Sequence, residues 1–195
     1  AATHMIHAMV PAELDTLFCL GTHTGPQQNN KQLLKTLRKA GIPVALGEWD
    51  SRVAQGNEIE DSQGTDQKTR DWLLQSPHVM SFNLGSKKGM AFFGEYIQNL
   101  PGYSDFEPFA LEMNMVCGLT DFMQDESVFP ALEAMIPQFE ADIILFSQTQ
   151  TWGHWQVAGK DFISLGRAVE PKQLAWGLLE INTGEIRFEQ MVVEQ

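Results

Sequence analysis

Short apolar runs alternate with an amphipathic stretch in the first part of the chain. Residues 16–20 and residues 43–46 are compact apolar runs, and each ends at a glycine. Between them, residues 28–40 carry three leucines on one side with Lys and Arg opposite, which predicts an amphipathic helix. Two buried strands joined by a helix predict a right-handed βαβ unit.

The middle of the chain has a weaker pattern. Residues 50–68 are polar and contain two glycines, which predicts a long surface loop. Residues 71–74 open a short helix, and residues 79–82 and 90–93 predict a pair of strands. Residues 127–139 again have helical periodicity, with an apolar side that faces inward.

The last third of the chain is rich in strand signals. Residues 142–146 predict a buried strand, and the aromatic residues 151–155 that follow it predict a solvent-facing turn. Residues 174–180 and 186–193 flank a turn at residues 182–184, which predicts an antiparallel hairpin. Together with the βαβ unit, these patterns predict an α/β layered domain.

Composition narrows the class of partner. The 195 residues fit one globular domain with an ordinary apolar content of 43%. The net charge of -12 and the pI near 4.7 make nucleic acid and membrane surfaces poor partners, because both are anionic. The one dense basic cluster, made of Lys31, Lys35, Arg38 and Lys39, is interpreted as the solvated face of the first helix.

Cysteine usage and the apolar runs bear on the compartment. Cys19 and Cys117 lie in apolar runs, which favours buried free thiols and a reducing environment. No apolar run approaches the roughly 20 residues that span a bilayer, and the first residues lack the pattern of a signal peptide. We therefore expect an intracellular protein that is soluble or peripheral in a complex, with no direct membrane insertion.

Three loops follow the predicted strands, at the end of the sheet where α/β proteins build their sites. They are residues 21–25 (GTHTG), 47–50 (GEWD) and 147–150 (SQTQ), followed by Gly166 and the closing hairpin. This layout resembles the calcineurin-like metallophosphoesterase superfamily, whose loops read GD, GNH with a following acid, and GHTH. Within it, the chain is similar to the small bacterial phosphodiesterases and the phosphoesterase-like subunit of retromer.

The resemblance covers residues 5–50 and 140–193, whereas the stretch between them matches loosely. It implies a layered α/β/β/α sandwich in which residues 1–195 form a single domain. It also implies a variable insertion around residues 95–126. The first strand of the family, with its aspartate and histidine, has no counterpart in the sequence.

The family reaction uses two metal ions roughly 4 Å apart to activate water and hold phosphoryl oxygens. By the resemblance, nearly all the ligand positions hold neutral or bulky side chains that are poor ligands for such ions. The acid that follows the GNH motif is retained as Asp50, and the replaced positions are Thr22 for aspartate, Glu48 for asparagine, and Trp49, Phe93, Gln148 and Gln150 for histidines.

These replacements predict no pair of metal ions, no cofactor and no catalysis by the family mechanism. The favoured interpretation is an inactive scaffold or interaction subunit of a larger complex. One alternative is a phosphoesterase with a remodelled or single-metal site, in which Glu48 still binds metal. Another is a small-molecule sensor that keeps the family pocket without its chemistry.

Histidines offer a second route to a metal site. His4 and His7 have ligand spacing on a predicted helix, and a site rebuilt from His23, Glu48 and Asp50 is conceivable. The simpler interpretation is surface or capping histidines, to which His78 and His154 also belong, with Asp50 bonded to backbone groups of its own loop.

Aromatic residues supply the candidate interface. Trp152 and Trp155 lie in the predicted solvent-facing turn, where they either pack on the hairpin or contact a partner. Residues 92–109 hold more aromatic side chains than a small domain readily buries, among them Tyr96, Tyr103 and Phe106. We therefore expect other protein subunits as partners.

Overall fold

The computed structural model describes residues 15–21, 31–56, 65–93, 130, 133–134, 136–147, 152–165, 173–182 and 185–194. These residues form a mixed α/β structure. The chain divides into two compact units, residues 1–80 and residues 81–195, and each is described by itself.

The first unit contains the predicted βαβ arrangement. Strand β1 (Cys19–Gly21) pairs in parallel with strand β2 (Val44–Leu46), and helix α1 (Lys31–Ala40) lies between them in the chain. Both strands are shorter than the apolar runs that predicted them. The helix confirms the amphipathic pattern within the described part of residues 28–40.

Helix α1 is held by its leucines and ended by a glycine. Leu34 and Leu37 are each 1% exposed and face the core of the unit. Gly41 follows the helix with φ of 67°, a left-handed conformation that glycine adopts without a Cβ penalty. The amide of Ile42 donates to the carbonyl of Leu37 at 3.0 Å, which closes the helix end. The chain then turns directly into β2.

The predicted loop over residues 50–68 is wrong at both ends. Helix α2 (Glu48–Ala54) occupies its start, because Val53 and Ala54 pack into the core. Helix α3 (Gln67–Leu74) begins before its end. The predicted short helix is present, but residues 71–74 close it rather than open it. Residues 57–64 lie outside the described part. The core of the first unit consists of Leu34, Leu37, Ile42, Val44, Leu46, Val53, Ala54 and Leu73.

The second unit is built on a five-stranded mixed sheet. Its strand order is β3-β4-β5-β7-β6, with β5 parallel to both β4 and β7 and with β6 antiparallel to β7. The predicted strand pair and the predicted buried strand are confirmed, with the first pair joined by a turn at residues 85–86. The strands are β3 (Val79–Leu84), β4 (Lys87–Phe92), β5 (Ile143–Phe146), β6 (Trp152–Val157) and β7 (Lys160–Leu165).

The core of this sheet is centred on β5, whose four residues are all buried. A strand with parallel neighbours and two covered faces is typically apolar throughout, as β5 is. Phe92 and Phe146 are register partners and stack with ring centroids 6.4 Å apart. The ring of Phe139, just after the 3₁₀ turn Ile136–Gln138, meets Phe162 edge-on at 5.4 Å. Most of the predicted helix over residues 127–139 lies outside the described part.

The predicted aromatic turn over residues 151–155 is wrong, because strand β6 begins at Trp152. It forms a hairpin with β7, a strand that the sequence pattern did not predict. The two turn residues are Ala158, with φ of 48°, and Gly159, with φ of 80°. Two successive positive φ angles are the mark of a type I′ hairpin turn.

The predicted closing hairpin is confirmed. Strands β8 (Gln173–Asn182) and β9 (Glu185–Glu194) pair antiparallel along their whole length. Asn182, which the sequence placed in the turn, is the last residue of β8.

Other expectations meet the structure only in part. Cys19 is a free thiol, but it is half-buried rather than buried. Cys117, the proposed insertion at 95–126 and the start of the chain lie outside the described residues. No helix among the residues described is long and apolar enough to cross a membrane.

Candidate functional site

The loop that follows β2 leads straight into α2. Asp50, on the first turn of this helix, is fully buried, and its Oδ2 accepts a hydrogen bond from the amide of Gly47 at 3.3 Å. The hydroxyl of Ser51 donates to the carbonyl of Gly47 at 3.1 Å. A carboxylate at this position stabilises the helix N-terminus. The hypothesis that Asp50 bonds its own backbone is confirmed.

Trp49 lies beside Asp50 and is half-buried. The guanidinium carbon of Arg52 lies 5.0 Å from the centroid of the indole ring, within the range of a cation–π contact. The resemblance assigns the catalytic histidine to this position. Here an indole, whose ring nitrogen only donates, and a permanent cation stand in its place.

His78 packs next to the end of β2. Its Nδ1 lies 3.3 Å from the carbonyl oxygen of Leu46. Burial lowers the pKa of His78 and outweighs the opposing influences of the Leu46 carbonyl and of the Asp50 carboxylate. The imidazole is therefore biased toward its neutral form, and its partner is a backbone carbonyl, as expected for a structural histidine.

The remaining motif positions are divided between the two units and the undescribed segments. Glu48 is the first residue of α2, in the first unit, whereas Phe93 follows β4 in the second unit and is half-buried. Thr22, Gln148 and Gln150 lie outside the described residues. Of the motif positions, Asp50 lies close enough to His78 for its carboxylate to influence the imidazole.

A second polar cluster was missed by the sequence reasoning. Asp161, at the start of β7, is 1% exposed, and its Oδ1 lies 2.9 Å from His154 Nε2. The same oxygen accepts from Gln156 Nε2 at 3.0 Å, and Oδ2 accepts from Lys87 Nζ at 3.1 Å. Burial alone would raise the pKa of Asp161, but the hydrogen bonds from Gln156, His154 and Lys87 prevail and lower it.

The signal for this cluster was present but weak. Asp161 directly precedes an apolar run, and a buried carboxylate in such a run needs partners. His154 and Gln156 face it across the β6–β7 hairpin because Gln156 is the register partner of Asp161. Lys87 comes from β4, far away in the sequence. The arrangement satisfies a buried charge and presents no obvious nucleophile.

The candidate interface tryptophans point to opposite sides of β6. Trp152 is 36% exposed, whereas Trp155 is 4% exposed, so the expectation of a solvent-facing residue is wrong for Trp155. The indole of Trp155 covers Gly153, where an added Cβ would lie 2.2 Å from the ring. Tyr96, Tyr103 and Phe106 lie outside the described residues. Trp152 is thus the exposed anchor that remains.

Comparison with known proteins finds similar structures but no similar sequences. No protein-family profile matches the chain, and no curated protein sequence matches it. Solved structures do. The hypothetical protein PH1004 of Pyrococcus horikoshii superposes with a TM-score of 0.65 at 14% identity, over 97% of this chain and 81% of that one.

Two further structures agree with that match. A conserved Streptococcus pneumoniae protein, described as a predicted phosphoesterase, has a TM-score of 0.51 at 14% identity, over 97% of this chain and 80% of that one. Vps29 of Entamoeba histolytica, solved with zinc, has a TM-score of 0.50 at 18% identity, over 97% and 88%. The chain has the calcineurin-like metallophosphoesterase fold.

A metallophosphoesterase-like fold implies a pair of metal ions, and the residues that the structure describes do not fit them. Among these residues, no group of three or more His, Cys, Asp or Glu is placed to hold a metal ion. Asp50 is committed to the backbone of its own helix, and the Arg52 guanidinium would repel a dication near Trp49. We therefore derive no metal-dependent step for this chain.

Proposed function

We propose that this chain is a catalytically inactive metallophosphoesterase-like protein that serves as an interaction subunit of a larger complex. The observation that carries the proposal is the Trp49–Arg52 stack, on the turn to which the resemblance assigns the catalytic histidine. An indole has no basic nitrogen and cannot shuttle a proton, and the stacked cation disfavours metal binding. Asp50, another motif residue of that turn, bonds the backbone at the start of the helix.

Hydrolysis of a generic phosphodiester tests the inactive assignment. Bis-p-nitrophenyl phosphate in buffer with manganese or zinc should be hydrolysed at the rate of the buffer alone. A metal-dependent rate that falls to background in the Glu48→Ala variant would overturn the proposal. It would establish the alternative, a phosphoesterase with a remodelled site.

That alternative draws support from the similar proteins rather than from the site. One of them is described as a predicted phosphoesterase, and another was solved with zinc. At 14% and 18% identity these likenesses support the fold alone. The replacement of a base by Trp49 favours the subunit over the enzyme.

The interaction surface that we assign to the subunit contains Trp152. It is one of two large apolar side chains in the described part of the chain that are substantially exposed, the other being Leu74 at 59%. Tryptophan is enriched at the centres of interfaces, whereas leucine is under-represented among such hot spots. Trp155 supports this surface from beneath the strand by packing on Gly153.

Affinity purification from the native source tests the surface. Wild-type protein should co-purify with other subunits across an interface on the order of 1,600 Å². The Trp152→Ala variant should lose them, with a binding cost of about 2 kcal/mol or more. Leu74→Ala is the matched control and should retain them. Wild type that emerges as a lone monomer would contradict the subunit role.

A further inference from the structure

Strand β6 lies at one edge of the five-stranded sheet. It pairs with β7 on one side, and no strand among the described residues pairs with its other side. An edge strand presents a row of backbone N–H and C=O groups that can pair with another strand. The outer edge of β6 is therefore a candidate binding surface.

The hairpin turn determines which backbone groups of β6 point outward. A two-residue turn at residues 158–159 makes Val157 and Lys160, which flank it, a hydrogen-bonded pair. Hydrogen-bonded and non-hydrogen-bonded pairs alternate along an antiparallel ladder. Gln156 and His154 therefore belong to non-hydrogen-bonded pairs, and their N–H and C=O groups point away from β7, toward the open edge.

The other side of β7 gives independent support for this pattern. Asp161 is the register partner of Gln156, and its amide donates to the carbonyl of Asp142 at 2.8 Å. Asp142 directly precedes β5, which lies on the opposite side of β7 from β6. The amide of Asp161 therefore points away from β6, as it must in a non-hydrogen-bonded pair.

Strand β6 lacks the features that usually prevent strand addition. Natural edge strands are commonly guarded by charged side chains, proline or a β-bulge. The six residues of β6 include no Lys, Arg, Asp, Glu or Pro, and their register with β7 is unbroken, so β6 contains no bulge. Trp152 and Gln156 are also exposed. An extended segment of about six residues can therefore pair along this edge.

The charge of the second unit indicates which segment fits. Residues 81–195 hold six basic and sixteen acidic residues, so a second copy of the chain would bring two strongly acidic units side by side. A basic segment is attracted instead. Its Lys or Arg side chains can also lie over the indole of Trp152, which is 36% exposed, in a cation–π contact.

We propose that the outer edge of β6 binds an extended, basic segment of a partner protein, which adds to the sheet as a sixth strand. Backbone hydrogen bonds to His154 and Gln156 supply the affinity, and the contact of a cation with Trp152 supplies selectivity. The inference rests on the proposed function, because it describes how the surface that contains Trp152 receives its partner.

Amide hydrogen exchange of the full chain tests strand addition. The probe is a short, end-capped peptide of alternating lysine and threonine. At a peptide concentration ten times the dissociation constant, the amides of His154 and Gln156 should exchange about tenfold more slowly. The amides of Gly153 and Trp155, which already face β7, should change less. A peptide with glutamate in place of lysine should give no protection.

Two variants of one residue separate the backbone contact from the side chain. Gln156→Pro removes the outward N–H without removing a bond to β7, whereas Gln156→Ala removes the same side chain and keeps that N–H. Binding of the labelled peptide, measured by fluorescence anisotropy, should weaken about tenfold in Gln156→Pro relative to Gln156→Ala. Thermal melts check that both variants fold, and the exchange of the wild-type amides tests the proposal without them.

The outcomes distinguish this inference from the subunit role. Equal peptide affinity in the two Gln156 variants would overturn strand addition. So would protection of the same amides that rises with protein concentration alone, since a second copy would then occupy the edge. Co-purified partners that Trp152→Ala loses, without protection by the peptide, would refute strand addition and leave the subunit role standing. Protection in a chain that purifies as a lone monomer would support strand addition and contradict the subunit role.

Discussion

At Asp161, the burial of the side chain conflicts with its charge. A carboxylate that is 1% exposed loses its hydration, and that loss is costly unless hydrogen bonds replace it. Three side chains replace it here, from β4 and β6, and Lys87 adds the opposite charge. The cluster therefore links the β6–β7 hairpin to the first residue of β4.

Replacing Asp161 by asparagine tests this role. An amide accepts fewer hydrogen bonds and no longer offsets the charge of Lys87, so the free energy of unfolding at pH 7 should fall by about 1–3 kcal/mol. Urea denaturation measures it, with Glu140→Gln, an exposed acid of the same unit, as the control.

Wild type and Asp161→Asn should also differ in how their stability depends on pH in the acid range. The pKa of Asp161 is lowered on folding from its ordinary 3.8. Its ionised form therefore stabilises the fold fully above pH 3.8, and that contribution is lost as the pH falls below it. The stability difference between wild type and Asp161→Asn should shrink when the pH is lowered from 7 to about 3. A difference that is constant over this range would contradict the assignment.

His78 makes the complementary prediction near neutrality. Burial lowers its pKa from the ordinary 6.5, so the unfolded chain binds the proton more tightly than the folded one. Stability should be greatest above pH 6.5 and should decline as the pH falls below it. In His78→Gln, which can still meet the Leu46 carbonyl, this part of the decline should disappear from thermal melts taken between about pH 5 and 8. Identical profiles for the two proteins would refute it.

At the scale of elements, the periodicity of short sequence stretches correctly predicted those helices and strands that depend on contacts between nearby residues. Helix α1 and strand β5 each show their pattern within a dozen residues, and the β8–β9 hairpin shows its pattern within the continuous stretch of residues 173–194. Helix α2 was missed because it has only Val53 and Ala54 as apolar core residues among polar neighbours. Strand β6 was missed because residues 151–155 were interpreted as an aromatic turn.

Strand β6 contains a glycine, Gly153, because of its tertiary contacts. Gly153 lies under the ring of Trp155, so its small size serves packing rather than chain reversal. The Asp161 cluster was unpredictable for a related reason, since Lys87 lies 74 residues away in the chain. By contrast, the bond from the Gly47 amide to Asp50 spans three residues, and that interpretation of the site was correct.

The β6–β7 turn offers a test at this scale. Ala158 adopts φ of 48°, which costs an ordinary residue roughly 1 kcal/mol, whereas asparagine followed by glycine is a favoured pair in type I′ turns. Ala158→Asn should therefore raise the free energy of unfolding by about 0.5–1 kcal/mol. Chemical denaturation measures the change. Ala158→Val should have the opposite effect, and a stabilising valine would exclude the turn geometry.

For the whole molecule, the two units differ in charge. Residues 1–80 hold seven basic and nine acidic residues, whereas residues 81–195 hold six basic and sixteen acidic residues. The acidity that repels polyanions therefore resides mainly in the second unit. The first unit, which contains helix α1, is nearly neutral.

We expect the thermal stability of the intact chain to be independent of metal ions. Any ligand that binds only the folded protein stabilises it, by about 2.7 kcal/mol when its concentration is a hundred times its dissociation constant. Trp49 and Arg52 give the turn after β2 an indole and a cation where a metal site needs anionic or lone-pair donors. Millimolar manganese or zinc should therefore leave the melting temperature unchanged, and so should prior dialysis against a chelator. A metal-induced rise that Glu48→Ala abolishes would instead show a remodelled site built on that residue.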